Sequence, residues 1–295
     1  MLSILIPTYN YCIYPLVLSL YEQAKKSAPA FEIICLDDAS AAFHHENQLI
    51  NGLENCSYSV LSQNIGRSAI RNLLAKEARF DNLLFLDADV ALIDENFIAK
   101  YVSFIDGAEK VVYGGICYQE EEPEKSQALR WVYGRKREAL SVQNRNKNKY
   151  LSFLTLNFMI KKSVFQRVSF NETIPNLRHE DTLFSFDLKK AGIEIIHIDN
   201  AACHLGLESS AVFLRKSEEA VAGLAYLIEN NLIDADYVKL ARCRKLLVHC
   251  RLDKLYAGAC RMLKSTFKRN LLGSKPSLAI FDLFRLGYFC DLKTR

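Results

Sequence analysis

Short apolar segments alternate with longer amphipathic segments through the first half of the chain. The short segments are rich in Ile, Leu and Val, which is typical of strands buried on both faces, and the longer ones have apolar residues at helical spacing. The predicted strands are 2–7, 31–37, 58–61 and 83–86, and the predicted helices are 13–26, 46–53 and 68–78. This alternation indicates an α/β fold, in which helices cover both faces of a mainly parallel sheet.

Strand patterns continue at 111–113, 153–160 and 194–198, with an amphipathic helix over 182–191. From about residue 209 the pattern becomes predominantly helical and, in part, strongly basic. We therefore expect two parts, an α/β domain over 1–206 and a basic helical extension over 207–295.

Polar side chains follow each of the first four predicted strands. These groups are Thr8-Tyr9-Asn10, Asp37-Asp38-Ala39-Ser40, Asn64-Ile65-Gly66-Arg67 and Asp87-Ala88-Asp89. The carboxyl ends of parallel strands lie along the same edge of a sheet, and ligands of such sheets bind there. The sequence therefore predicts one ligand site built from all four groups.

The fourth group places two carboxylates one residue apart at the end of a buried strand. Carboxylate oxygens are hard ligands, which suit a divalent ion shared with a substrate phosphate. The same tripeptide recurs as Asp234-Ala235-Asp236, where no strand pattern precedes it. The position among four polar strand ends favours Asp87 and Asp89 as the functional pair and indicates a break between helices for the second copy.

Several other side chains at this edge have both a functional and a structural interpretation. Asp37 and Asp38 can accept a hydrogen bond from a base or a ribose, although Asp37 can equally cap the following helix. Tyr9 can lie flat against a base or pack within its loop. Arg67 can contact a base or phosphate, whereas Arg71, one turn later, can simply pair with an acid on the surface.

Candidates for the chemistry occur later in the chain. In His179-Glu180-Asp181, at the start of a predicted helix, a carboxylate can be a general base or only a helix cap. His204 follows another strand and is a candidate metal ligand, although a lone histidine is more often structural. Trp131 and Tyr133, in a variable basic loop, can stack on an acceptor sugar or pack in the core.

Composition excludes some classes of protein. The formal net charge of +4 is too small to imply nucleic-acid binding by itself, and an apolar run long enough to span a bilayer is absent from the sequence. Nine scattered cysteines without a Cys-x-x-Cys pair fit a reducing cytosol. The apolar start reaches Pro7 early and lacks a basic leader, so we expect a first strand there rather than a signal peptide.

The basic charge is concentrated in the C-terminal region, where 239–269 has ten Lys or Arg residues against the single acid Asp253. Its apolar residues, among them Leu246, Leu255 and Met262, recur at roughly helical spacing. Such helices can lie on an anionic membrane and meet the pyrophosphate of a lipid-linked acceptor. They can equally form a lid that buries its apolar residues against the catalytic domain.

The ordered motifs resemble those of the family 2 glycosyltransferases of GT-A fold. The matching segments are Pro7-Thr8-Tyr9-Asn10, Asp37-Asp38-Ala39-Ser40, Asn64-Ile65-Gly66 with Arg71-Asn72, Leu86-Asp87-Ala88-Asp89, Gly114-Gly115, Glu180-Asp181 and His204. The resemblance covers about residues 1–206, and the order and spacing of the motifs make it more specific than any one of them. It implies a Rossmann-like, mixed and mainly parallel sheet and a nucleotide-sugar-binding catalytic domain over 1–206.

The resemblance also implies an inverting transfer of a sugar from a nucleotide diphosphate sugar, usually a UDP-sugar, to an acceptor hydroxyl. The residues that match the donor site are Thr8, Tyr9, Asp37, Asp38, Arg67, Asp87 and Ala88. Asp89, assisted by Asp87 and His204, would hold Mn²⁺ or Mg²⁺, and Asp181 would be the catalytic base. Trp131 and Glu180 are the candidates for contact with the acceptor.

Two features depart from the pattern of many relatives. Many relatives have a second acid two residues after the residue that matches Asp181, whereas this chain has Leu183 there. The Gln-x-x-Arg-x-x-Trp motif of processive synthases is also missing. We therefore expect transfer of one sugar at a time in glycan or surface polysaccharide synthesis, in the cytoplasm or on the inner face of the cytoplasmic membrane. The alternatives are a non-catalytic nucleotide- or sugar-binding module on the same fold and a sugar nucleotidyltransferase, which lacks support because no glycine-rich phosphate loop follows the first strand.

Overall fold

A computed structural model describes residues 1–175 and 178–292 of the chain. Residues 293–295, at the end of the predicted helical extension, lie outside it. The chain forms two compact units. The first comprises 1–118, 139–173 and 180–206, and the second comprises 119–138, 174–179 and 207–295.

The first unit is built on a seven-stranded sheet. In order across the sheet, the strands are β3 (Cys56–Val60), β2 (Phe31–Asp37), β1 (Leu2–Thr8), β4 (Asn82–Leu86), β8 (Asn157–Lys161), β6 (Lys110–Tyr113) and β9 (Glu194–His197). The pairs among β3, β2, β1 and β4 are parallel, as is the pair β6 and β9, whereas β8 is antiparallel to both of its neighbours. The predicted mixed, mainly parallel sheet is confirmed.

A second, three-stranded sheet was not predicted from the sequence. It consists of β5 (Val90–Leu92), β10 (Ala202–His204) and β7 (Ile116–Cys117), in that order. β10 is antiparallel to β5, with His204 opposite Val90, and parallel to β7. Strands of two or three residues are too short to produce a periodic pattern, so only their long-range pairing defines them.

Among the described residues, the first eight α-helices divide between the two units, with seven in the first unit and one in the second. They are α1 (Tyr14–Ser27), α2 (His44–Gln48), α3 (Arg67–Glu77), α4 (Phe97–Val102), α5 (Ala128–Tyr133, in the second unit), α6 (Val142–Asn146), α7 (Lys162–Arg167) and α8 (Glu180–Lys190). The predicted helix over 46–53 is split into α2 and a 3₁₀ turn at Leu49–Gly52.

Aromatic side chains fill the core beside β4 and β8. Phe85 stacks on Phe158 with ring centroids 5.0 Å apart, and Phe170 stacks on Phe184 at 4.3 Å. Phe184 is buried and lies one turn into α8. Packing of large aromatic rings is strongly stabilising, so this contact fixes the start of α8, where Asp181 lies, relative to the sheet.

The second unit is mainly helical, as predicted for 207–295. Its further helices are α9 (Ser210–Glu229), α10 (Lys239–His249), α11 (Asp253–Met262), α12 (Lys264–Leu271) and α13 (Leu278–Asp291). The second tripeptide, Asp234-Ala235-Asp236, lies in the turn between α9 and α10, as predicted. In the described part of the chain, every helix is too short or too polar to span a bilayer.

The last segment of the second unit begins at Leu207, which is the predicted domain boundary. This unit also includes 119–138 and 174–179. The functional division into a catalytic domain over 1–206 and a basic extension over 207–295 stays a prediction.

Candidate functional site

The loops after β1 and β2 are joined by hydrogen bonds at the edge of the sheet. The backbone N–H of Asn10 donates to Oγ of Ser40 at 2.7 Å, and the N–H of Ala41 donates to Oδ1 of Asn10 at 2.8 Å. Asn10 and Ala39 adopt the left-handed conformation, with φ of 50° and 59°. These bonds bring the first two predicted polar groups together, with Thr8 buried at the end of β1 and Tyr9 57% exposed beside it.

Asp37 is fully buried and both of its carboxylate oxygens accept hydrogen bonds within the protein. Oδ1 accepts from the N–H of Ser40 at 2.7 Å, and Oδ2 accepts from the hydroxyl of Tyr58 at 2.6 Å. Burial and the bond to Asp37 raise the pKa of Tyr58, so this phenol stays protonated as a donor. Asp37 thus holds the loop after β2, and its predicted contact with a nucleoside stays a prediction.

Asp38 connects the second polar group to the third. Its Oδ1 accepts from the N–H of Ile65 at 2.7 Å, and its Oδ2 accepts from the N–H of Gly66 at 3.0 Å. Gly66 has φ of 85°, which favours glycine, and is the residue before α3. The loop that leads to Arg67 is therefore fixed to the end of β2, and a carboxylate oxygen retains lone pairs for a further donor.

Arg67 and Glu180 join the starts of α3 and α8. Nη1 of Arg67 lies 3.3 Å from Oε1 of Glu180, and the arginine side chain is 44% exposed. Burial opposes the ionisation of Glu180, but the charges of Arg67 and Arg71 outweigh it and lower the pKa of this carboxyl group. Glu180 is therefore held as an ionised partner of these arginines.

The pKa of Asp181, the next residue, is shifted in the opposite direction. Burial, followed by the negative charge of Glu180, raises its pKa to about 6, although the N–H of Thr182 donates to its Oδ1 at 2.7 Å. Two adjacent carboxyl groups whose pKa values are driven apart are a signature of distinct roles at a reactive site. Asp181 is ionised at neutral pH and basic enough to take a proton from a hydroxyl group in a transition state.

Arg71 is buried on α3 and pairs with Asp87. Its Nη2 lies 2.6 Å from Oδ1 of Asp87, and its Nη1 donates to the carbonyl of Arg67 at 3.2 Å. The pair lies at the end of β4 and not on the surface, which was the location suggested by the sequence. Burial and the charge of Asp89 raise the pKa of Asp87, although Arg71 opposes this shift.

Arg71→Met is expected to destabilise the fold by about 2 kcal/mol in urea denaturation. This value lies between the cost of breaking a buried ion pair and that of a surface pair, because the Asp87 side chain is 32% exposed. Arg167→Met is the control, since Arg167 pairs at 2.7 Å with Glu109 and both side chains are exposed. Equal losses in the two variants would contradict the structural importance of the Arg71 pair.

Asp89 lies beside His204 across the junction of β5 and β10. Nε2 of His204 is 3.3 Å from Oδ2 of Asp89, and the N–H of Leu205 donates to the carbonyl of Asp89 at 2.8 Å. His204 is largely buried, with its ring 5.4 Å from that of Tyr118, and its Nδ1 has no hydrogen-bond partner among the described residues. The unpredicted small sheet therefore brings these two predicted metal ligands together.

The donor atoms of Asp89 and His204 fit a divalent metal. Adjacent ligands of an octahedral ion at about 2.1 Å from the metal lie about 3 Å apart, close to the observed separation. Within 1–175 and 178–292, groups of three or more His, Cys, Asp and Glu side chains suited to a metal are absent. Oδ1 of Asp87 pairs with Arg71, and the role of Asp87 as a metal ligand stays a prediction. A metal held by Asp89 and His204 would need oxygens from a ligand or water to complete its shell.

Two residues near Asp89 had no assigned role in the sequence analysis. A Cβ atom on Gly206 would lie 2.4 Å from Oδ2 of Asp89, so a side chain at this position would displace the carboxylate. The phenol of Tyr11 lies in the electrostatic field of Asp89. Burial and the charge of this carboxylate raise the pKa of Tyr11. Their only sequence signals are nearness to His204 and to the first polar group.

The residues proposed to contact the acceptor already have partners within the protein. Trp131 and Tyr133 contact other residues of the second unit, and Glu180 pairs with Arg67. Nε1 of Trp131 donates to the carbonyl of Gln119 at 2.9 Å, and Arg135 lies over the indole ring at 4.8 Å from its centroid. The ring of Tyr133 packs against Phe213 and Phe281 at 5.2 and 5.5 Å. Core packing is therefore the role of Tyr133, whereas acceptor contact by Trp131 and Glu180 stays a prediction.

Similarity to known proteins identifies the family. A family model described as glycosyl transferase family 2 matches residues 3–172. A search of curated proteins finds no match. The crystal structure of TarS 1–349 from S. aureus is 18% identical, with 98% of this chain and 89% of that chain covered and a TM-score of 0.52.

A second solved structure is a mannosyltransferase, PcManGT from Pyrobaculum calidifontis in complex with GDP-Man and Mn²⁺. It is 14% identical, with 97% of this chain and 85% of that chain covered and a TM-score of 0.55. Both likenesses show a shared fold and confirm the predicted GT-A architecture. Since the family model spans more than half of the chain, the protein is a glycosyltransferase that belongs to glycosyl transferase family 2.

Proposed function

We propose that this glycosyltransferase moves a single sugar from a nucleotide diphosphate sugar, with a UDP-sugar as the expected donor, to an acceptor hydroxyl with inversion. The observation that carries the proposal is the contact of Asp89 with His204 at the edge where the polar strand ends meet. One carboxylate and one imidazole at this edge suit a metal that also binds a diphosphate. The PcManGT complex with GDP-Man and Mn²⁺ and a TarS complex with UDP-GlcNAc support a nucleotide-sugar donor.

In this proposal, the loops after β1, β2 and β3 bind the nucleoside through Thr8, Tyr9, Asp38 and Arg67. Tyr9 has an exposed ring that can stack on a base, and Asp38 can accept a hydrogen bond from it. Asp89 and His204 hold Mn²⁺ or Mg²⁺, which when bound would neutralise the charge that grows on the departing diphosphate.

Asp181 then acts as the general base. It accepts the proton of the acceptor hydroxyl while the acceptor oxygen bonds to the anomeric carbon and the bond from that carbon to the diphosphate breaks. The diphosphate leaves with the electron pair, so one displacement inverts the anomeric configuration. Arg71 and Arg67 keep Glu180 ionised, and the negative charge of Glu180 helps to make Asp181 basic.

The acceptor that we propose is a glycan or a lipid-linked sugar in surface polysaccharide synthesis. The basic charge of 239–269 supports contact with an anionic membrane surface, and we propose that the enzyme meets this acceptor at the inner face of the cytoplasmic membrane.

A panel of nucleotide diphosphate sugars is expected to raise the melting temperature only when Mn²⁺ or Mg²⁺ is present. A ligand at about 100 times its Kd stabilises the folded state by ~2.7 kcal/mol, which corresponds to a rise of about 5 °C for a chain of this size. Differential scanning fluorimetry with metal, and with EDTA in its place, measures the effect. Equal stabilisation with EDTA would contradict the metal assignment, and no stabilisation by any donor would contradict the proposed function.

A further inference from the structure

An apolar stripe on α11 is exposed to solvent. Leu252, the residue before α11, and Leu255, Ala259 and Met262 within it recur at helical spacing on one side, and all four are exposed. Leu255 is 72% exposed and Met262 is 86% exposed, values that are unusual for large apolar side chains. We call these four residues the α11 stripe.

The opposite side of α11 already has its packing partner. Ala257 is buried, and the hydroxyl of Tyr256 donates to the carbonyl of Leu283 on α13 at 3.2 Å. A Cβ atom on Gly287 of α13 would lie 2.5 Å from Cβ of Cys260, so the two helices are in close contact. Because this side of α11 packs on α13, the α11 stripe faces solvent and is not buried within the second unit.

Positive charge surrounds the stripe. Arg251 is exposed just before α11, Lys254 is exposed on its first turn, and Lys264 is exposed just beyond its end. Another exposed apolar side chain, Leu246 at 63%, lies on the neighbouring α10 among Arg242, Lys245 and His249. A helical surface with exposed apolar side chains among cations suits the boundary between lipid headgroups and acyl chains.

We propose that the α11 stripe docks the protein on the surface of an anionic bilayer, with Leu255 and Met262 inserted and Arg251 and Lys254 on the headgroups. The charge decides against a second copy of the chain as the occupant. A two-fold interface sets the same patch of both copies face to face, so it would bring these cations together. A membrane of anionic lipid offers the complementary charge and an apolar layer together, and this docking is independent of the catalytic role of Asp181.

Co-sedimentation with vesicles tests the proposal. The full chain is expected to sediment with vesicles of phosphatidylcholine containing 30% phosphatidylglycerol and to stay in solution with pure phosphatidylcholine. The double variant Leu255→Gln/Met262→Gln should lower partitioning onto the anionic vesicles at least tenfold, and Arg251→Gln/Lys254→Gln should also weaken it. The matched control is Leu18→Gln/Leu49→Gln, which changes two exposed leucines of the first unit and should sediment like the wild type.

Failure of the wild type to bind anionic vesicles, or equal binding by Leu255→Gln/Met262→Gln, would overturn the proposal. A dimer of the wild type in analytical ultracentrifugation that this variant abolishes would assign the stripe to a second copy instead. Unchanged metal-dependent donor binding by the variant shows that it is folded. The same measurement separates a failure of docking from a failure of the proposed function.

Discussion

Replacing Asp181 by Asn is expected to abolish sugar transfer while leaving the binding of the nucleotide donor intact. The substitution keeps the size of the side chain but removes the group that accepts the acceptor proton. Loss of a general base slows a reaction by about 10²–10⁴-fold. Asp181 accepts hydrogen bonds from Thr182, whereas Asp89 contacts His204, so calorimetry should give an unchanged affinity for the donor diphosphate with Mn²⁺.

The pH dependence of the wild type follows from the same residue. The active form of a general base is the ionised one, and the pKa of Asp181 is raised to about 6. kcat/KM should therefore fall as pH falls through about 6 and reach a plateau above 7. A rate that stays constant down to pH 4.5 would contradict the assignment of Asp181 as the base.

Stability should change in the opposite direction to activity. A carboxyl group whose pKa is higher in the folded state contributes stability at low pH, and this contribution is lost as pH rises from about 4 through 6. Asp181→Asn removes the cost of the buried charge, so the variant should be about 1–3 kcal/mol more stable than the wild type at pH 7.5. The difference should vanish near pH 4, and urea denaturation at both pH values measures it.

Asp187→Asn is the matched control on the same helix. Burial also raises the pKa of Asp187, which lies further along α8, near the charge of Lys190. This variant can gain stability for the same reason, yet it should transfer sugar within twofold of the wild-type rate. A comparable loss of transfer in both variants would show that the effect arises from α8 as a whole and not from Asp181.

The fold was predictable where a single segment contains its own pattern. The strands β1, β2 and β4 consist mainly of apolar residues, and the polar residues that follow them can be placed at one edge from the rule for parallel sheets. These strands are buried as the apolar pattern predicts, since Leu84 and Phe85 of β4 are fully buried. The prediction needed no knowledge of distant contacts.

The rest of the site depends on contacts between segments far apart in sequence. β10 becomes a strand because Ala202–His204 pairs with β5 and β7, and the pairing with β5 places His204 beside Asp89. Arg71 occupies a position in α3 that periodicity alone assigns to either a surface or a core partner. Only the approach of α3 to β4 makes it the partner of Asp87.

The electrostatic difference between Glu180 and Asp181 is also invisible in the sequence. Two neighbouring acids have the same ordinary chemistry until one of them meets Arg67 and the other is buried beside it. Motif order identified Asp181 by resemblance, whereas the physical reason for choosing it over Glu180 requires the positions of α3 and α8.

Asp89→Ala is expected to remove the metal-dependent binding of nucleotide diphosphates. Asp89 supplies one of the two protein ligands that we propose, and the loss of even an indirect partner of a metal ligand costs 10- to 100-fold in affinity. We therefore expect at least a 100-fold weaker affinity for the donor diphosphate in the presence of Mn²⁺. Binding measured with EDTA should be the same for the variant and the wild type, because the nucleoside loops are unchanged.

The chain provides its own control, since Asp234-Ala235-Asp236 repeats the tripeptide outside the site. Asp236 is 63% exposed and pairs with Lys245 at 2.5 Å, and a surface pair of this kind contributes less than about 1 kcal/mol. Asp236→Ala should thus retain both stability and metal-dependent binding. If Asp89→Ala keeps wild-type affinity with Mn²⁺, the metal does not bind at Asp89. If both variants lose affinity equally, the effect is one of general charge, and the strand end that distinguishes the two copies has no functional meaning.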